Sequence, residues 1–162
     1  MLEETPQGVV LLEPPRGLYP ARLDEKGRLK LPVEFQKYLA GLSEKKLFAT
    51  SLDRRMAIVY PIAIWRDNEK LLSNYRDNPK ASKRIWFTAQ DLGSEAEMDA
   101  QGRVQFSPEL RRDLQIENKP VKVLIANGAI QVMSEEMYQA QRSEAAQSSD
   151  DDLEVLQRAG LK

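Results

Sequence analysis

Residues 23–39 read LDEKGRLKLPVEFQKYL, and residues 98–114 read MDAQGRVQFSPELRRDL. The two segments align without a gap, so that Asp24 meets Asp99, Gly27 meets Gly102 and Arg28 meets Arg103. Leu29, Leu31, Phe35 and Leu39 then fall on Val104, Phe106, Leu110 and Leu114. Self-similarity of this kind marks a duplicated structural unit. The stretches downstream of the two segments also correspond: Lys46–Ser51 and Met56–Tyr60 in the first copy, Val121–Ala126 and Ala129–Met133 in the second.

Each copy has the same local grammar. Leu29 and Leu31 alternate with Arg28 and Lys30, and Val104 and Phe106 with Arg103 and Gln105, the period of a strand buried on one face. Pro32 and Pro108 then start short helices whose apolar sides carry Phe35 and Leu39, or Leu110 and Leu114. A hairpin comes next. Its turn in the second copy is Asn127-Gly128, the strongest two-residue hairpin signal; in the first copy Leu52–Arg55 makes a looser turn. Helices are expected from Pro61 to about Tyr75 and from Ser134 to about Ala146. Asn78-Pro79 opens another through Thr88, with Ile85, Trp86 and Ala89 as its packing side. Trp65, Trp86 and Phe87, at helical spacing beside Ile62, Ile64 and Ile85, are expected in the core rather than as stacking platforms for bases.

These elements predict an α+β fold, a β-rich intertwined barrel of two pseudo-symmetric halves with peripheral helices. The expected divisions are a flexible arm over 1–16, a first repeat over 17–77, a linking helix over 78–93, a second repeat over 94–146 and an acidic tail over 147–162. Within that tail Ser148–Asp152 is polar enough to predict disorder, and Leu153–Lys162 a frayed helix.

Composition narrows the chemistry. The 162 residues include neither Cys nor His. Disulfide scaffolds, zinc ribbons and thiol nucleophiles are excluded, as are triads built on imidazole. No G-x-x-x-x-G-K or G-x-G-x-x-G loop is present. We therefore expect no catalysis, no cofactor and no metal. The apolar runs are too short to span a bilayer, and the acidic start Met1-Leu2-Glu3-Glu4 is unlike a signal peptide, so a soluble, cytoplasmic protein is expected. The formal net charge of −1 conceals a gradient. Residues 1–13 carry three acids and no Lys or Arg, and 134–162 carry seven acids against three bases, leaving the excess of Lys and Arg to the body of the chain. A basic body between acidic ends suits a polyanionic partner.

The D-x-x-G-R segment sits at the turn that delivers each copy into its half-buried strand. Gly27 and Gly102 suit a positive φ, and Asp24 and Asp99 can accept hydrogen bonds from turn amides or pair with an arginine. Two roles are open for Arg28 and Arg103. They either clip the turn together or present a planar fork to phosphates and base edges. Lys26, Lys30 and Arg22 beside the first motif, and Arg111 and Arg112 beside the second, favour the latter.

At these residues the chain resembles the MraZ family, relatives of the AbrB/SpoVT swapped-hairpin DNA-binding domains, over roughly residues 17–142. The resemblance rests on the paired D-x-x-x-R motifs and on Ile58–Trp65 (IVYPIAIW). It implies a nucleoid-associated transcriptional regulator that binds double-stranded DNA at promoter repeats of the division and cell-wall gene cluster, assembled as a homo-oligomeric ring. Carried over to this chain, Asp24, Arg28, Asp99 and Arg103 are the binding motif. The candidate DNA-binding set is then Asp24, Lys26, Arg28, Lys30, Asp99, Arg103, Arg111 and Arg112. One departure stands out. The family pattern has a basic residue after the aromatic of the first helix, where this chain has Gln36; Arg111 keeps the charge in the second copy. The alternative reading is an antitoxin-like or scaffold module whose main partner is another protein.

Overall fold

Leu29 and Val104, the first inward residues of the two copies, lie opposite each other across one antiparallel strand pair and are both fully buried. The computed structural model that shows this describes residues 2–4 and 10–162. Two short strands at the start, β1 (Leu2–Glu4) and β2 (Val10–Leu12), pair antiparallel. Met1 and residues 5–9 of the arm expected to be flexible lie outside the described residues.

The first copy supplies β3 (Tyr19–Leu23), β4 (Arg28–Lys30), β5 (Leu47–Ser51) and β6 (Ala57–Pro61). The second supplies β7 (Ser94–Ala96), β8 (Arg103–Gln105), β9 (Pro120–Ala126) and β10 (Ala129–Ser134). All eight join one sheet in the order β7-β5-β6-β10-β9-β3-β4-β8, with every pairing antiparallel. The copies alternate along it. The β5–β6 hairpin is flanked by β7 and β10 of the second copy, and the β9–β10 hairpin by β3 and β6 of the first. The result is the predicted α+β architecture, a nearly closed barrel whose two free edges are β7 and β8. Interleaving is what the hydrophobic pattern requires, because a three-residue strand such as β4 has little apolar surface until a neighbour from the other copy covers it.

Helices α1 (Val33–Ala40) and α4 (Pro108–Leu114) lay Phe35, Leu39, Leu110 and Leu114 into the main core with Leu23, Leu31, Phe106 and Ile116. A second, smaller cluster forms where α2 (Ile62–Asn74) and α3 (Pro79–Leu92) cover β5 and β6. There Trp65 stacks at 4.8 Å from Phe48 and 5.1 Å from Tyr60 between ring centroids. Trp65 is thus core, as expected.

Trp86 and Phe87 are not. They are 47% and 61% exposed, and the inward side of α3 is made by Ser82, Ala89 and Leu92 instead of Ile85, Trp86 and Ala89. The reason is a close approach of helix to sheet. The buried Thr50 hydroxyl donates to the Ala89 carbonyl at 2.6 Å, a contact with room only for small side chains between the backbones. The helix also runs past Thr88 to Leu92, begun as expected by Asn78, whose side chain accepts from the Ala81 amide at 3.1 Å.

Helix α5 (Glu135–Gln147) starts where Ser134 accepts from the Met137 amide, and α6 (Ser149–Arg158) comes after the single residue Ser148. Disorder over Ser148–Asp152 is therefore corrected: Ser148 links the two helices and Ser149–Asp152 form the first turn of α6. The acidic run Asp150–Asp152 stands at the N-terminus of α6, where the helix dipole favours negative charge. No described helix is long and apolar enough to cross a membrane.

Candidate nucleic-acid interface

Each motif is built the same way. The Asp24 amide donates to the Arg28 carbonyl at 2.9 Å, and the Gly27 amide donates to the Asp24 carbonyl at 3.0 Å. Closing so tight a turn takes Gly27 to φ +81°, where an L side chain is strained. The Asp24 carboxylate then completes the loop. Its Oδ1 accepts from the amides of Lys26 and Arg28, each at 2.9 Å, and its Oδ2 accepts from Arg28 Nε at 2.8 Å. In the second copy Asp99 does the same for the amides of Gln101 and Arg103 and for Arg103 Nε, with Gly102 at φ +76°.

The two roles left open for the motif turn out to be compatible. The aspartate clips the turn and, through Nε, aims the guanidinium. Among the described residues no hydrogen bond holds the terminal nitrogens of Arg28 or Arg103. The Arg28 amide, ahead of the guanidinium, holds the Asp24 carboxyl below the usual carboxylate range, and the Arg103 amide does so for Asp99.

Strand pairing brings the motifs together. Arg28 is opposite Gln105 and Lys30 is opposite Arg103 across β4–β8, so these four side chains share the face opposite the buried Leu29 and Val104. Backbone bonds tie each turn to the other copy: the Phe106 amide donates to the Gly27 carbonyl and the Leu31 amide to the Gly102 carbonyl, both at 2.9 Å. Side chains repeat the exchange. Gln105 Nε2 donates to the Lys26 carbonyl at 2.9 Å, and Lys30 Nζ donates to the Gln101 carbonyl.

Asp24, Lys26, Arg28, Lys30, Asp99 and Arg103 are therefore brought into one surface. Arg111 is not a free surface cation. Its side chain is only 12% exposed and lies across Gly27, with Glu117 at 3.8 Å as its ion pair. A Cβ on Gly27 would stand 1.6 Å from Arg111 Nη1, and a Cβ on Gly102 would stand 2.1 Å from the amide carbon of Gln36. Gln36 is the counterpart of Arg111 in the repeat, so each copy roofs the other copy's turn. Arg112 is 63% exposed on α4, outside the strand pair and 3.7 Å from Glu109. Sequence reasoning missed Gln101 and Gln105; their alignment with Lys26 and Lys30 was the available signal.

Curated relatives align with most of the chain. A transcriptional regulator MraZ from Acidobacterium capsulatum is 33% identical over 90% of this chain and 99% of its own length. The chain belongs to the MraZ family. It is also similar to proteins of the same name from Herpetosiphon aurantiacus, 32% identical over 76% of this chain and 82% of the relative, and from Koribacter versatilis, 30% identical over 64% and 71%. No family model matches the chain.

This geometry has two measurable consequences. Gly27→Ala and Gly102→Ala should each destabilise by about 1–2 kcal/mol from the left-handed backbone alone, and by more where the roofing side chain must leave. In an Arg111→Ala background the Gly27→Ala loss should shrink toward the backbone part, measured by urea unfolding. The pH dependence has a definite sign. Because both motif carboxyls titrate lower in the folded chain than unfolded, their stabilisation is present above the usual carboxylate range and is lost as pH falls through the folded values. Thermal unfolding across that range should show Tm falling with acid, and less steeply in Asp24→Asn/Asp99→Asn.

Proposed function

We propose that this chain is a transcriptional regulator that binds duplex DNA through the β4–β8 surface, without catalysis. The observation that carries the reading is that Arg28, Lys30, Arg103 and Gln105, drawn equally from both copies, line one face of the last strand pair at the β8 edge of the sheet. Side chains of these types suit the major groove, where an arginine fork reads guanine and a glutamine amide reads adenine. Lys26, at the first turn, suits a flanking phosphate. The name that its relatives carry, transcriptional regulator, agrees with this chemistry.

The finer parts of the reading are sequence-specific binding at promoter repeats of the division and cell-wall gene cluster, a nucleoid location and a homo-oligomeric ring. One chain offers a single short strand pair, too few contacts for tight specific binding, so several copies acting together are expected.

The test is the pair Arg28→Ala and Arg103→Ala in a mobility-shift titration on duplex fragments selected by the wild-type chain from genomic DNA. Each should weaken binding by about 1–3 kcal/mol, the worth of a lost bidentate base contact. Each Tm should stay close to wild type, because an ion pair this exposed contributes at most about 1 kcal/mol. Variants that bind as tightly as wild type while folded would reduce the motif to a turn clip.

A further inference from the structure

Two apolar surfaces among those the described residues leave open to solvent are matched in shape and charge. The first is a groove between the end of α2 and the start of α3. Leu72, Tyr75, Pro79 and Trp86 line it, with Lys80 and Lys83 beside them. The close seating of Ala89 turns this side of α3 outward, which is why Trp86 is half exposed.

The second is α6, every residue of which is exposed. Leu153 and Leu156, three apart, form an apolar stripe extended by Val155 and Ala159. Asp150, Asp151 and Glu154 fall on the other side of the helix, giving it an acidic flank on which Glu154 pairs with Arg158 at 2.7 Å, while Asp152 lies beside Leu156 and Ala159.

The two surfaces complement each other in both respects, apolar stripe to apolar groove and acidic flank to lysine rim. We propose that α6 of one copy docks into the α2–α3 groove of a second copy, with Leu153 and Leu156 against Leu72 and Trp86 and with Asp150 and Asp151 toward Lys80 and Lys83. Within one copy neither surface is covered, and α6 comes after α5 with Ser148 alone between them, while α5 packs on β9 and β10. The contact is heterologous. A helix meets a groove, so each copy still has one of each to offer, and the contact propagates until a ring closes or a filament grows. The docking rests on the proposed homo-oligomer, which it deepens, and is independent of the DNA surface.

Full-length Leu153→Asp/Leu156→Asp and Lys80→Glu/Lys83→Glu test it by sedimentation velocity at micromolar concentration. Each pair should weaken self-association by about a hundredfold, with the far-ultraviolet circular dichroism of the fold retained. Adding Asp150→Lys/Asp151→Lys to the Lys80→Glu/Lys83→Glu chain should restore the larger species, which a merely damaged fold would not do. Variants that sediment as the parent, a parent that is itself monomeric, or a charge swap that restores nothing would each overturn the docking. The same samples are titrated with nonspecific duplex DNA at low salt. An Arg28-dependent shift with unchanged mass leaves the DNA surface standing and removes the docking; lost mass in the variants, in a protein that never shifts DNA, does the reverse.

Discussion

The reciprocal hold between the two turns is the constraint on which the rest of the molecule depends. The Gly27 carbonyl accepts from Phe106 and the Gly102 carbonyl accepts from Leu31, so neither motif has its final shape until the other copy is in place. These bonds fix the register of β4 on β8, and that register puts Leu29 against Val104 inside while turning Arg28, Lys30, Arg103 and Gln105 outward. A slip of one residue would exchange core for surface along the strand that moved. The absence of a Cβ at Gly27 and Gly102 belongs to the same device, since the other copy's Arg111 or Gln36 occupies the space.

Carrying both copies in one chain makes their meeting intramolecular, so the interleaved sheet does not depend on protein concentration. It also releases the copies from strict symmetry. Arg111 and Gln36 occupy equivalent places over the two turns, yet only the arginine brings charge, which Glu117 answers at 3.8 Å. The first hairpin has the looser turn, and its Arg54 bridges Asp91 at the end of α3 and Asp113 on α4, tying the linking helix to the second copy. The two halves of the proposed DNA surface are therefore alike in backbone and different in side chain, Lys30 against Gln105, which gives an asymmetric sequence something to read.

Much of this was written locally in the sequence. Period-two alternation gave β4 and β8, and Asn127-Gly128 produced the expected turn with both residues at positive φ, +53° and +80°. Asn78 and Ser134 marked helix starts by a chemistry that is visible in one residue. What could not be read depends on distances between elements. Helical spacing shows that Ile85, Trp86 and Ala89 recur, but only the closeness of α3 to β5 decides that Ala89 faces in and Trp86 out. Nor does a charge reveal that it will lie across a glycine of the other copy, as Arg111 does. The acidic run before Leu153 is polar enough to suggest disorder, whereas helix dipoles place acids at just such a start.

The central claim is that both motifs contact one DNA duplex through a shared surface. The chain contains no cysteine, so a single one can be placed at will to carry a photo-crosslinker. Lys26→Cys and Gln101→Cys put the probe on the exposed turn of either copy, and Tyr75→Cys puts it in the α2–α3 groove. On irradiation with selected duplex DNA, the account predicts crosslinks of comparable yield from positions 26 and 101 and little from position 75. Crosslinking from position 75, or from one motif without the other, would contradict it.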